Sequence, residues 1–305
     1  MAVMRVLACS SLLLVLCACG EKPAPVVASG SPVVWTASWP LWSMAHRIGG
    51  ELIRLQSALP VETDVEGYEP PRETVLALAK ADLVLLNGAG LEAWTTRAGL
   101  PLGRVVDASH GFAGEFVQFP HAITHTHGPG GAHTHQGTNP HVWLDPTFAE
   151  QEARAVHAGL LALLPAHRAE LDAALGTLVT ELHAIDQDLR TVKFSDGEVL
   201  VTSHPTWAYL VRRYQWPVID TNLHPNEAPD PVAIAALAEA CKGKRVRAVL
   251  FEEAPIPAVS EAIRTAVSAP CVTFDPDVRR GKDGAARDTF TLLRAGVDAL
   301  RKALQ

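Results

Sequence analysis

From residue 33 onward short apolar runs alternate with amphipathic stretches, which predicts strands and helices in turn. Val33-Val34-Trp35-Thr36-Ala37 is a strand pattern, and Leu41 to Ile48 follows as an amphipathic helix that stops at Gly49-Gly50. Ile53 to Leu59 reads as a second strand. Pro71 opens the helix PRETVLALAKA at its first turn, where the missing N–H of proline costs nothing. Asp82 to Asn87 and Arg104 to Asp107 add two more strands. Such alternation implies a parallel sheet covered on both faces. The period then changes. Phe148 to Leu163 is helical, and from Ala166 to about Val192 the chain runs without proline and with one glycine, Gly176. One helix of that length extends on the order of 40 Å, enough to run along two lobes; two helices broken near Gly176 are the alternative. Alternation resumes with a strand at Glu198 to Thr202, a helix at Thr206 to Tyr214, a strand at Trp216 to Ile219 and a helix ending at Cys241. Strands at Val246 to Phe251 and Cys271 to Phe274 precede a terminal helix, Arg287 to Leu304. The expected fold is α/β: two βα lobes with parallel sheets, residues 33–164 and 194–305, joined by one long connecting α-helix over 165–193.

The first residues break this pattern. Arg5 supplies a basic start and Val6 to Ala18 an apolar run too short to span a bilayer, so residues 1–18 read as a secretory signal peptide. Its end, Leu16-Cys17-Ala18-Cys19-Gly20, is similar to a bacterial lipobox: small Ala18 precedes Cys19, whereas bulky Leu16 makes Cys17 the poorer acceptor. Lipidation at Cys19 would hold the protein in the periplasm or on the outer face of the cytoplasmic membrane, with residues 19–32 as a Pro/Ser/Gly tether. The formal net charge of −7 argues against nucleic-acid binding. With Cys19 lipidated, Cys241 and Cys271 remain as an even pair in an oxidising compartment, which allows a disulfide; two buried thiols are the alternative.

Residues 121–138 form a Gly/Thr/Pro-rich loop without apolar periodicity that carries His121, His125, His127, His133 and His135. Imidazole is the commonest metal ligand, and short histidine tracts read as metal binding. Ordered sequence resumes at Asn139-Pro140-His141. In open parallel sheets ligands bind beyond the carboxyl ends of strands, and four metal-competent side chains fall there: Glu66, His141, His204 and Asp275. Two nitrogens and two carboxylates suffice for a closed four-coordinate site whose carboxylates offset the charge of a divalent cation. His46, His110, His157, His167 and His183 are scattered and read as structural or surface residues. His224, in the loop Asn222 to Glu227, is expected to edge the cleft and is a poorer candidate ligand.

The segments GYEPPRETVLALAKADLVLLNGAGLEAWTTR, NPHVWLDP, TSHPTWAYLVRRYQWPVID and VLFEEAPIPAVSEAIRTAVSAPCVTFDPD, in this order, resemble the zinc- and manganese-binding lipoproteins that serve ABC importers. The resemblance implies a two-lobe fold with a long linking helix, a metal-binding role rather than an enzymatic one, and a permease with its ATPase as partners. It implies a monomer that approaches the membrane through its lipid anchor. By the same resemblance His141, His204 and Asp275 occupy ligand positions. Glu66 is a departure, because family members usually carry histidine two residues before the tyrosine of YEP. Glu66 can ligate, water can take its place, or a loop histidine such as His127 can swing in. The metal expected is Zn²⁺ ahead of Mn²⁺, since the intrinsic affinity order favours zinc and the histidine tract accompanies zinc-type members. A zinc hydrolase using Glu252 or Glu253 as base is a poorer reading, because four protein ligands leave no open position. A zinc buffer without a permease fits the residues as well.

Overall fold

A computed structural model describes residues 30–119, 123–126, 132–135, 137–280 and 287–305. The expected signal peptide at residues 1–18, Cys19, His121 and His127 lie outside the described residues. In the first lobe β1 (Val33–Thr36) leads to α1 (Trp39–Gly49), β2 (Arg54–Ser57), α2 (Arg72–Leu78), β3 (Leu83–Leu86), the single turn α3 (Thr95–Ala98) and β4 (Val105–Asp107). The strands pair in parallel in the order β2-β1-β3-β4. All four residues of β3 are buried, because helices cover both faces of the sheet.

The histidine tract is not irregular throughout. β5 (Ile123–Thr126) and β6 (Ala132–His135) pair as an antiparallel hairpin that sets His125 opposite His133 and Ile123 opposite His135. Asp145 caps α4 (Pro146–Leu163) by accepting from the Thr147 N–H at 2.9 Å, and Pro146 occupies the first helical position. The connecting helix α5 (Arg168–Arg190) follows and passes Gly176 without a break. Its buried residues, Leu171, Leu175, Leu178, Leu182, Ile185 and Leu189, step by three and four, so one apolar stripe faces inward. That stripe packs on α1 and α4 of the first lobe and on the terminal helix of the second.

The second lobe repeats the topology of the first. β7 (Glu198–Thr202), α6 (Ala208–Tyr214), β8 (Val218–Asp220), α7 (Pro231–Ala240), β9 (Arg245–Phe251), α8 (Pro257–Val267) and β10 (Cys271–Thr273) give the parallel order β10-β9-β7-β8. α9 (Thr289–Ala303) closes the chain, capped by Asp288 on the Phe290 and Thr291 amides. The sequence pattern extended β2 to Leu59 and missed α8. Among the described residues no helix is long and apolar enough to cross a membrane.

The disulfide allowed by the cysteine count is not formed, and Cys241 and Cys271 are free thiols. Both sit in the apolar cluster of the second lobe, Cys241 just after α7 and Cys271 at the start of β10. Burial pushes both thiols above their ordinary value, with Lys244 opposing at Cys241 and a Ser260 hydrogen bond opposing at Cys271.

Candidate metal centre

In each sheet the first and third strands of the lobe lie side by side, so the strand order reverses between them. A crevice opens at the carboxyl ends of such a pair. His204 follows β7 and Glu252 follows β9, so both stand at the reversal point of the second lobe. Thr206 donates its hydroxyl to one oxygen of Glu252, and the other oxygen lies 3.7 Å from His204 Nδ1. His204 Nε2 is 3.0 Å from Asn222 Oδ1, and the His224 ring stands 5.9 Å away, edge to face.

The first lobe contributes a tighter pair. His141 Nε2 is 2.9 Å from Glu66 Oε1, with side-chain exposures of 4% and 7%. Asn139 Oδ1 accepts the backbone N–H of His141 at 3.0 Å and lies 2.9 Å from its Nδ1. That contact places a proton on Nδ1 and turns Nε2 toward Glu66, the arrangement in which a second partner fixes the tautomer of a ligating imidazole. A ring lone pair and a carboxylate oxygen facing each other call for a cation between them, either a proton or a metal.

Asp275 follows β10. One of its oxygens accepts the Asp277 N–H at 2.8 Å, and the other pairs with Arg287. Burial raises its carboxyl above the usual range, and the Asp277 amide and Arg287 oppose that shift. Asp275 and Glu252 line a cavity of about 340 Å³ together with Glu62, Asp64 and Arg279.

Cross-lobe hydrogen bonds tie these loops together. Asn139 Nδ2 donates to Pro205 O at 2.9 Å, next to His204. Trp143 Nε1 donates to Pro276 O at 2.8 Å, next to Asp275. The Glu66 loop is held by Glu62 N to Arg280 O at 2.6 Å and Val65 N to Val278 O at 3.2 Å. The loops that carry the four side chains are thus joined across the lobes, but the side chains do not converge on one point: among the described residues no three His, Cys, Asp or Glu side chains are gathered as a metal cluster. Glu66 pairs with His141, His204 stands by Glu252, and Asp275 holds Arg287. Sequence reading overlooked Asn139, Asn222 and Arg287. For Asn139 the signal was available, since a short amide two residues before a histidine can bond back to it.

Three of the scattered histidines are engaged elsewhere: His157 with Asp172 at 2.8 Å, His167 with Glu170 at 3.2 Å and His183 with Glu150 at 2.8 Å. Behind the His141 loop lies a buried acidic group. Asn87 Nδ2 donates to Pro140 O at 3.1 Å, and Glu92 accepts the Asn87 and Gly88 amides at 2.8 and 3.1 Å. Gly88 has φ +76°, and a Cβ there would come within 2.0 Å of Asp107 Oδ1. Burial pushes the Glu92 carboxyl up to about 7. Glu152 on α4 is fully buried, neither of its oxygens has a hydrogen-bond partner among the described residues, and burial with Glu92 and Asp107 nearby raises it well above the ordinary value. A carboxyl raised in the folded state favours folding below its unfolded value, and that contribution is lost as pH climbs through the folded value. Glu152→Gln is therefore expected to leave stability nearly unchanged at pH 4 and to stabilise increasingly from pH 5 to 8, as read by urea melts across that range.

Two parallel-sheet lobes lie on one helical spine, and loops from both lobes that hydrogen-bond one another carry imidazole and carboxylate groups. Residues 34–303 match the family described as zinc-uptake complex component A, periplasmic (ZnuA), and the chain belongs to that family. The high-affinity zinc uptake system protein ZnuA of Bacillus subtilis (strain 168) is 22% identical over 282 residues, covering 89% of this chain and 87% of that protein. The manganese ABC transporter substrate-binding lipoprotein PsaA of Streptococcus pneumoniae is 25% identical over 288 residues, covering 90% of each. Among solved structures, the Zn(II)-bound ZnuA-like domain of Streptococcus pneumoniae AdcA superposes with a TM-score of 0.74 at 18% identity, covering 90% of this chain and 100% of that one. The metal-dependent lipoprotein YcdH from Bacillus subtilis gives 0.73 at 21% identity, covering 88% and 97%. The protein is thus a substrate-binding component of metal transport and not an enzyme.

Proposed function

We propose that the protein captures Zn²⁺ outside the cytoplasmic membrane and delivers it to an ABC permease and its ATPase, as a monomer anchored through Cys19. Glu66, His141, His204 and Asp275 are the ligands of the cleft, and the hairpin histidines form an accessory collector. The observation that carries this reading is the His141–Glu66 pair, nearly dry and with the imidazole oriented by Asn139. Two imidazoles favour zinc over manganese, and the intrinsic affinity order acts in the same direction. Manganese is the second reading, favoured by the extra carboxylate of Glu252 beside His204, because manganese tolerates oxygen-rich sites. Competition titration of the purified mature protein with both ions separates them. A submicromolar Zn²⁺ constant at pH 7.5, weakening as pH falls because imidazole ligates only when neutral, is the expected result. Tighter Mn²⁺ than Zn²⁺ binding selects the second reading, and no submicromolar binding of either ion overturns both.

A further inference from the structure

The ion pair between Asp275 and Arg287 gives the cleft a cation of its own. The two oxygens of Asp275 are not equivalent. Oδ1 accepts a backbone N–H from Asp277 at 2.8 Å, a donor fixed by the course of the chain. Oδ2 takes the Arg287 guanidinium, a donor on a flexible stem. The base of that stem is anchored. Asp288, the next residue, caps α9 and accepts two hydrogen bonds from Arg47 of α1, at 2.8 and 2.5 Å. Thr289 N donates to Ser43 Oγ at 3.1 Å. Arg287 is therefore held at a fixed point of the cleft wall with only its side chain free to move. The pair is partly open, with side-chain exposures of 24% and 29%, so the guanidinium can be released into water at modest cost.

We infer that Arg287 is a built-in competitor for the bound metal: it occupies Asp275 Oδ2, must swing away when a divalent cation takes that oxygen, and returns as the ion leaves. This rests on the reading of Asp275 as a ligand. A divalent ion making a direct bond to the carboxylate displaces a guanidinium, whereas a hydrated monovalent ion does not, so the exchange also favours divalent cargo. The returning arginine offers Asp275 a substitute partner at the moment of release. Without it a half-buried carboxylate would be left without a cation and would hold the ion more tightly.

The test is a double-mutant cycle on the full mature chain, using Arg287→Gln, Arg287→Met, Arg287→Lys, Asp275→Asn and the Arg287→Gln/Asp275→Asn pair. Zn²⁺ affinity is read by chelator competition and Zn²⁺ release by stopped flow into excess EDTA, with a thermal melt to show that each variant is folded. Arg287→Gln and Arg287→Met are expected to tighten Zn²⁺ on the order of tenfold and to slow release by a similar factor, a size between exposed and buried ion pairs. Arg287→Lys should stay near the parent, and the gain should vanish when Asp275 is already Asn. Unchanged or weakened binding in both neutral variants, or the same gain in the Asp275→Asn background, overturns the inference. If Asp275→Asn itself leaves Zn²⁺ binding intact, the ligand reading of Asp275 fails first and takes the inference with it.

Discussion

His141→Ala is expected to raise the Zn²⁺ dissociation constant at least about a hundredfold, a loss of about 2.7 kcal/mol. The substitution removes the imidazole that lies 2.9 Å from the Glu66 carboxylate, and it leaves Glu66, with 7% of its side chain exposed, without that cation-binding partner. Asn139→Ala should cost less, roughly ten- to a hundredfold, because the ligand stays while its orienting partner is lost. The measurement is competition titration, with a thermal shift as a second readout. Saturating zinc stabilises a protein by an amount set by the ratio of free metal to dissociation constant, so the shift should collapse in His141→Ala. Deleting residues 121–138 is the control. If that deletion abolishes tight binding and His141→Ala does not, the hairpin is the principal site and the cleft is not.

The reading of sequence into fold succeeds where burial is complete. β3 is buried throughout and appears as an unbroken apolar run, β7 is buried throughout and carries Val-Leu-Val at its centre, and the three-and-four spacing in α5 persists because one face meets both lobes. It weakens at edges. β2 alternates exposed and half-buried residues, so its end could not be placed from hydrophobicity. The hairpin of the histidine tract hid in plain view: Ile-Thr-His-Thr and Ala-His-Thr-His flank a Gly-rich stretch of sequence, yet without apolar alternation their period of two looked like noise. In the cleft, the strand-end rule points to Glu66, His141, His204 and Asp275, since backbone topology alone puts loops there. What those side chains do depends on partners brought by later elements. Asn222 reaches His204 from 18 residues away, and Arg287 reaches Asp275 from 12, and neither separation carries a periodic signal.

Arg280→Ala is expected to lower folding stability by about 3–5 kcal/mol, the usual cost of removing one member of a buried ion pair. Arg280 and Asp277 are both fully buried and 2.7 Å apart. The guanidinium lies between the rings of Trp39 and Trp42, 4.8 and 5.1 Å from their centroids, and donates to Ser43 Oγ at 2.7 Å. Trp39, Trp42 and Ser43 belong to α1 in the first lobe, whereas Asp277 and Arg280 lie in the loop after β10 in the second. The residue therefore acts as a bolt between lobes, and alanine would leave Asp277 as an uncompensated buried charge. Asp277→Asn added to Arg280→Ala should recover part of the loss, since the stranded charge rather than the missing attraction dominates the penalty. Urea denaturation reads both variants, and an unchanged slope with a lower midpoint marks a change in stability alone. The same loop carries Asp275 and hydrogen-bonds the loop that carries Glu66. Arg280→Ala should therefore also accelerate Zn²⁺ release. A loss below about 1 kcal/mol with unchanged release would mean that the apolar stripe of α5 holds the lobes in register without the bolt.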